Sequence, residues 1–132
     1  MNHPALLLAR LDAIAESLAQ DAQALALIGL GSVGLERERL DEFSDLDFFV
    51  IASPGAKQRF LDQLAWLAAP AAPVYLFRNT PDGYKALYGD GVFCEFAVFE
   101  PVELSGIPFA PGRVVWKREG VDDIIAKPVL PV

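Results

Sequence analysis

Two apolar runs joined by a short polar stretch constrain this chain more than any other feature. The first, Leu25 to Leu30, ends in Gly31-Ser32; after twelve intervening residues Asp45-Leu46-Asp47 enters the second, Phe48 to Ala52. Each run has the length and side-chain character of a buried strand. The chain must therefore put a small-residue turn at the end of one strand and two carboxylates at the start of the next. Gly31 permits a sharp turn and a close backbone approach to an anionic oxygen. Ser32 adds a hydroxyl at the start of a short helix expected over Leu35 to Leu40, whose free N–H groups favour anions. Asp45 and Asp47, two residues apart on a strand, leave the same face with Cα atoms roughly 6–7 Å apart. That spacing suits one or two hard cations such as magnesium, which takes oxygen ligands and shares them with substrate phosphates. The plainer reading is a polar strand entrance, with Ser44 and Asp45 closing a turn after Glu42. The turn and the acids in this order favour a site over that reading.

A third carboxylate fits the same picture. Val92 to Phe99 is apolar on both alternating faces except at Glu95, the pattern of a strand covered on two sides. A lone ionised carboxylate there is costly unless paired. Glu95 is therefore expected to be either a metal ligand and base or the structural partner of an arginine such as Arg59, Arg78 or Arg113.

The surrounding elements indicate an α/β domain with a mixed, mainly buried sheet and helices packed around it. A first helix, Pro4 to about Gln20, carries Leu7, Leu11, Ile14 and Leu18 at helical spacing. A second, Ala56 to Ala68, places Phe60, Leu61, Leu64 and Leu67 on one side and ends at Pro70 and Pro73. Helices between strands imply crossovers and a partly parallel sheet. Val74 to Phe77 reads as a further strand. Pro81-Asp82-Gly83 turns into Tyr84 to Tyr88, and Gly89-Asp90-Gly91 turns into the Glu95 strand as a hairpin. Residues 1–100 thus form the core, and 101–132 a proline- and glycine-rich extension with an edge strand at 113–117.

Gly31-Ser32, then Asp45-Leu46-Asp47 on the following strand, then an isolated acid on a later one, resembles the nucleotidyltransferase superfamily that includes DNA polymerase β and the antibiotic nucleotidyltransferases. The resemblance covers Leu25 to Phe99 and implies a single nucleotidyltransferase-like domain. It implies that Gly31 and Ser32 bind phosphate, that Asp45 and Asp47 bind metal, and that Glu95 completes a second metal site and helps deprotonate the acceptor. The activity implied is transfer of a nucleoside monophosphate from a nucleoside triphosphate, ATP first among them, to a hydroxyl of a small-molecule or protein acceptor. Two magnesium ions roughly 4 Å apart would stabilise the attacking oxygen and the departing pyrophosphate. Lys57, Arg59, Arg78 and Lys85 could meet phosphates, although solvated surface is the simpler expectation for each.

Other readings are open. Gly29-Leu30-Gly31-Ser32-Val33-Gly34 matches the G-x-G-x-x-G dinucleotide fingerprint. A Rossmann unit, however, wants its acid at the end of the second strand, where this chain reads Val50-Ile51-Ala52-Ser53. A non-catalytic nucleotidyltransferase-like binding module is the main alternative, because many members of the superfamily add a helical acceptor-binding domain and this chain stops at Val132.

With 132 residues, 53% of them hydrophobic, the chain can bury a real core as one domain. A net charge of −7 disfavours general nucleic-acid binding, which needs excess Lys and Arg. Cys94 is the only cysteine and is expected to be a buried thiol. His3 is the only histidine, so histidine catalysis and histidine metal clusters are excluded. No segment is long enough to span a membrane, and Pro4 to Ala9, broken by Arg10 and Asp12, makes a poor secretory signal. Cytoplasmic residence is the expectation. The apolar tail with Val129, Leu130 and Val132 suggests a homodimer or a separate helical partner chain, with Trp116 or the tail near the contact.

Overall fold

The computed structural model describes residues 2–33, 40–41, 44–104 and 112–121, with Ser32 described by its backbone. Among these residues it forms an α/β domain with four helices, α1 (His3–Ala19), α2 (Lys57–Asp62), α3 (Ala65–Ala68) and α4 (Pro101–Leu104). Six strands, β1 (Ala24–Leu30), β2 (Leu46–Ala52), β3 (Pro73–Thr80), β4 (Gly83–Tyr88), β5 (Phe93–Phe99) and β6 (Arg113–Lys117), form one sheet in the order β3-β4-β5-β2-β1-β6. Only β2 and β5 run parallel; the other neighbours are antiparallel.

Strand alternation divides the sheet into two unequal faces. Leu46, Phe48 and Val50 of β2, with Cys94, Phe96 and Val98 of β5, point into the main core, where α1 adds Leu7, Leu11, Ile14 and Leu18. Phe48 stacks on Phe96 at 5.3 Å between ring centres, and the Trp66 ring stands edge-on to both. Asp47, Phe49 and Ile51 lie opposite Glu95, Ala97 and Phe99 on the other face. There Ile51 and Phe99 are covered beside Leu104 of α4, but the Asp47 and Glu95 end is open. The strand carrying Glu95 is therefore not covered on both sides as its apolar pattern predicts. Glu95 is exposed, and no arginine is needed to offset its burial.

Both ends of α1 are closed by side chains. The Asn2 side chain accepts from the Ala5 N–H at 2.9 Å, supplying the N-cap, and Pro4 sits in the first turn, where a missing N–H costs nothing. At the other end Arg118 donates to the carbonyls of Ala19, Asp21 and Ala24. The extension beyond residue 100 thus enters the fold through α4, through that cap and through β6, which pairs with β1 as the expected edge strand.

The second helix is not continuous. Gln63 is extended, with ψ 101°, and separates α2 from α3. The break lets the Trp66 indole N–H donate to the Phe60 carbonyl at 3.1 Å inside the core. The fingerprint reading also fails, because β1 and β2 are antiparallel, whereas a Rossmann βαβ unit needs parallel strands joined by a crossover helix. The helix expected over Leu35 to Leu40 lies mostly outside the described residues, as does the tail with Val129, Leu130 and Val132. Cys94 is buried and free, as expected. No described helix is long and apolar enough to cross a membrane.

Candidate functional site

The parallel register sets the site. Asp47 lies directly opposite Glu95, which puts their backbones roughly 4.8 Å apart with both side chains on the open face. They share a cleft of about 400 Å³ with Leu30, Phe49, Asn79, Thr80 and Ala97. Leu30 is paired with Asp47 across β1 and β2, so the turn that follows β1 meets the carboxylates.

That turn is a single 3-10 turn, Gly31–Val33. Gly31 has φ +56°, and a Cβ at this position would sit 3.9 Å from Asp47 Oδ2. The left-handed conformation is open to glycine and strained for other residues. Gly29 is needed for a different reason: a Cβ there would press into the Val33 carbonyl, where the turn folds back on β1. Arg113 on β6 holds the same carbonyl, donating from Nε at 3.3 Å and Nη2 at 3.1 Å. Ser32 lies in the turn, as the sequence pattern requires.

Asp45 stands just before β2 and is exposed; it does not line the cleft. The segment leading to it is pinned by a turn in which the Ser44 N–H donates to the Asp41 carbonyl. His3 Nε2 donates to the Ser44 carbonyl at 3.0 Å. The turn thus closes at Asp41–Ser44, and the one histidine serves as an anchor.

Electrostatically the three acids form a group. Asp47 has its pKa pushed up to about 6, first by enclosure at the cleft floor, then by the charges of Glu95 and Asp45. Its outer side meets solvent while protein surrounds the rest, so enclosure raises the pKa without burying the group outright. Among the described residues no three or more His, Cys, Asp or Glu side chains are gathered closely enough to hold a metal by themselves. Asp47 and Glu95 are nonetheless adjacent hard-oxygen donors that repel each other, a donor set that magnesium fits.

Asn79 was not visible from sequence. Its Nδ2 donates to Glu95 Oε2 at 2.6 Å, reaching across β4, and its Oδ1 is buried with no partner. The sequence pattern ends this strand at Phe77, whereas β3 runs on to Thr80 and carries Asn79 and Thr80 into the cleft wall. Lys85 lies opposite Glu95 on β4. The other candidate cations are committed to structure. Lys57 pairs with Asp82 and Glu103 at 2.6 and 2.7 Å, Arg59 with Asp21, and Arg78 donates to the Pro81 carbonyl.

No family model matches the sequence, and no curated protein is significantly similar to it. Among solved structures, the fold matches the crystal structure of a putative nucleotidyltransferase from Sulfolobus solfataricus. The TM-score is 0.53 at 17% identity, over 89% of this chain and 86% of that one. At that identity the likeness establishes shared architecture: the chain has a nucleotidyltransferase-like fold.

Proposed function

We propose that this protein is a magnesium-dependent nucleotidyltransferase that moves a nucleoside monophosphate from a triphosphate, ATP first among them, to an acceptor hydroxyl. The observation that carries this reading is the in-register pairing of Asp47 with Glu95 beside the left-handed Gly31 turn. In this reading Asp47 and Glu95, with Asp45 at the strand entrance, hold the metal. Magnesium bound there would neutralise the triphosphate and stabilise charge on the attacking and leaving oxygens.

The chain's own groups do the rest. Backbone N–H groups of the Gly31–Val33 turn and the Ser32 hydroxyl receive the outer phosphates. Glu95 Oε2 is held by Asn79, which leaves Oε1 to accept the proton of the acceptor hydroxyl. Lys85 stands beside Glu95 as a cation for a phosphate oxygen. Leu30, Phe49 and Ala97 give the cleft apolar walls that limit water around the reacting groups.

A binding module without transfer activity is the second reading, favoured by the position of Asp45 outside the cleft lining. Calorimetric titration of ATP with and without magnesium, followed by an acceptor screen with labelled triphosphates, separates the two. Magnesium-dependent binding with transfer supports the proposal, and binding without transfer to any acceptor supports the module. Absence of binding to every triphosphate with magnesium or manganese overturns both.

A further inference from the structure

At the edge of the sheet remote from β6, strand β3 exposes four consecutive large apolar side chains. Val74 is 68% exposed, Tyr75 56%, Leu76 45% and Phe77 52%. An edge strand normally hides such residues or carries charge among them; here the polar residues of the strand, Arg78, Asn79 and Thr80, all follow the apolar run. Successive strand residues face opposite sides of the sheet. In the regular stretch Leu76 lies on one face and Tyr75 and Phe77 on the other, so a helix or flat surface laid on one face could not cover all of them. An occupant that reaches all four must approach the edge itself, as an added strand does.

We infer that β3 pairs edge to edge with β3 of a second copy, antiparallel about a two-fold axis at Leu76. The choice of occupant follows from the sheet. Among the described residues its outermost strands are β3 and β6; pairing β3 with β6 of another copy would propagate into an open filament, whereas β3 with β3 closes as a dimer. The register follows from the backbone. β3 is irregular between Pro73 and Tyr75 and between Phe77 and Thr80, so only 75–77 is a regular stretch. A two-fold axis normal to the sheet keeps every residue on its own face. Centred on Leu76, it sets Tyr75 against Phe77 of the partner on both sides of the axis, and aromatic cross-strand pairs of this kind stabilise sheets. The irregularities on either side confine the pairing to this centre.

The area is that of a weak, transient dimer. At roughly 150–250 Å² for a whole aromatic side chain, the two rings still show on the order of 200 Å² per chain. With Val74 and Leu76 the strand offers roughly 400 Å², about half of the ~800 Å² per partner in a standard interface. The contact sits beside the cleft, since Asn79 and Thr80 of the same strand form its wall. This inference stands independently of the proposed reaction.

Sedimentation velocity of the full chain across micromolar concentrations tests it, together with two variants. The wild-type protein is expected to dimerise with rising concentration, and Leu76→Lys to sediment as a monomer with an unchanged circular dichroism spectrum. Leu76→Cys tests the register without adding charge. Residues directly opposite on antiparallel strands have Cα atoms about 4.5–5.5 Å apart, within disulfide range. This variant should form a cross-linked dimer on mild oxidation, while Tyr75→Cys, set against residue 77 of the partner, should not. Cys94 is buried and does not compete. A wild-type monomer at every concentration, or a dimer that Leu76→Lys leaves intact, overturns the proposal. Dissociation by Leu76→Lys with no Leu76→Cys cross-link overturns the edge-to-edge geometry. Should Leu76→Lys fail to fold, the cross-link decides alone.

Discussion

Asp47 is the residue on which charge and the proposed function meet most directly. Its folded pKa of about 6 lies above the 3.8 of an ordinary aspartate, so the folded state disfavours its ionised form. The stability it costs is absent below about pH 4, grows as pH rises through 6, and persists at neutrality. Because the carboxyl is partly open to solvent, screening limits this cost to no more than about 1 kcal/mol. Asp47→Asn should therefore leave the fold intact and slightly stabilised at pH 7, by roughly 0.5–1 kcal/mol in urea denaturation. The same variant should abolish magnesium-dependent nucleotide binding in calorimetry. Unfolding with binding spared would make Asp47 a structural residue. A second check uses protons: magnesium binding to the wild-type protein should release them below pH 6, where free Asp47 is mostly protonated, and the release should fade as pH rises through 6. Asn79 deserves a variant for the same reason. Asn79→Ala removes the donor that orients Glu95. In our reading it should weaken magnesium–nucleotide binding by about three- to tenfold, the scale of one charge-assisted hydrogen bond partly replaced by water.

At the scale of elements, the aromatic layer beneath the cleft floor carries the greatest consequence. Trp66 touches Phe48 and Phe96, the neighbours of Asp47 and Glu95 in sequence, and satisfies the Phe60 carbonyl. Trp66→Phe keeps most of the apolar contact but leaves that carbonyl without its donor. A loss of about 1–2 kcal/mol is expected in denaturant titration, with a weaker effect on the cleft. Gly83 is more severe: a Cβ there would run into the Phe96 carbonyl of β5. Gly83→Ala should thus disrupt the β4–β5 ladder and cost about 3 kcal/mol or more. These elements also show what could be read from residue order. The strands β1, β2 and β5, the first helix and both turns around β4 follow from apolar periodicity and Gly/Pro/Asp punctuation, signals carried within a few residues. The break at Gln63 does not, since apolar spacing continues through it and only the indole's need for a buried acceptor favours it. Likewise Arg78-Asn79-Thr80 reads as loop because it is polar. It is held in β3 by pairing with β4 and by the reach of Asn79 to Glu95, both long-range contacts. The acids at 45, 47 and 95 could be listed from sequence, but the register that sets 47 against 95, and leaves 45 outside the cleft lining, could not.

For the molecule as a whole, opposing titrations should give stability a maximum on the acid side. Arg59 holds the Asp21 carboxyl below its ordinary range, and Arg10 helps hold that of Asp90 there. Their contributions are present above pH 3.8 and are lost as pH falls through the lowered values, whereas the Asp47 cost appears as pH rises from 4 through 6. Thermal melts from pH 3 to 8 should accordingly peak at roughly pH 4–5 and decline gently toward neutrality, by on the order of 1 kcal/mol. The sequence isoelectric point of about 4.5 reinforces this by minimising self-repulsion there, so the melts belong at low protein concentration. A profile flat from pH 4 to 8, or one rising toward neutrality, would show that Asp47 is not destabilised by its neighbours. The single parallel ladder has a consequence in time as well. The hairpins β3–β4 and β4–β5 close over a few residues, but β2 can meet β5 only after a loop of roughly forty residues is closed, the slower kind of contact to form. That slower ladder is also the one whose zipping forces Asp47 against Glu95, so this part of the sheet closes against its own charge. A divalent cation present during refolding should hasten that closure, because it relieves the repulsion the closing ladder creates.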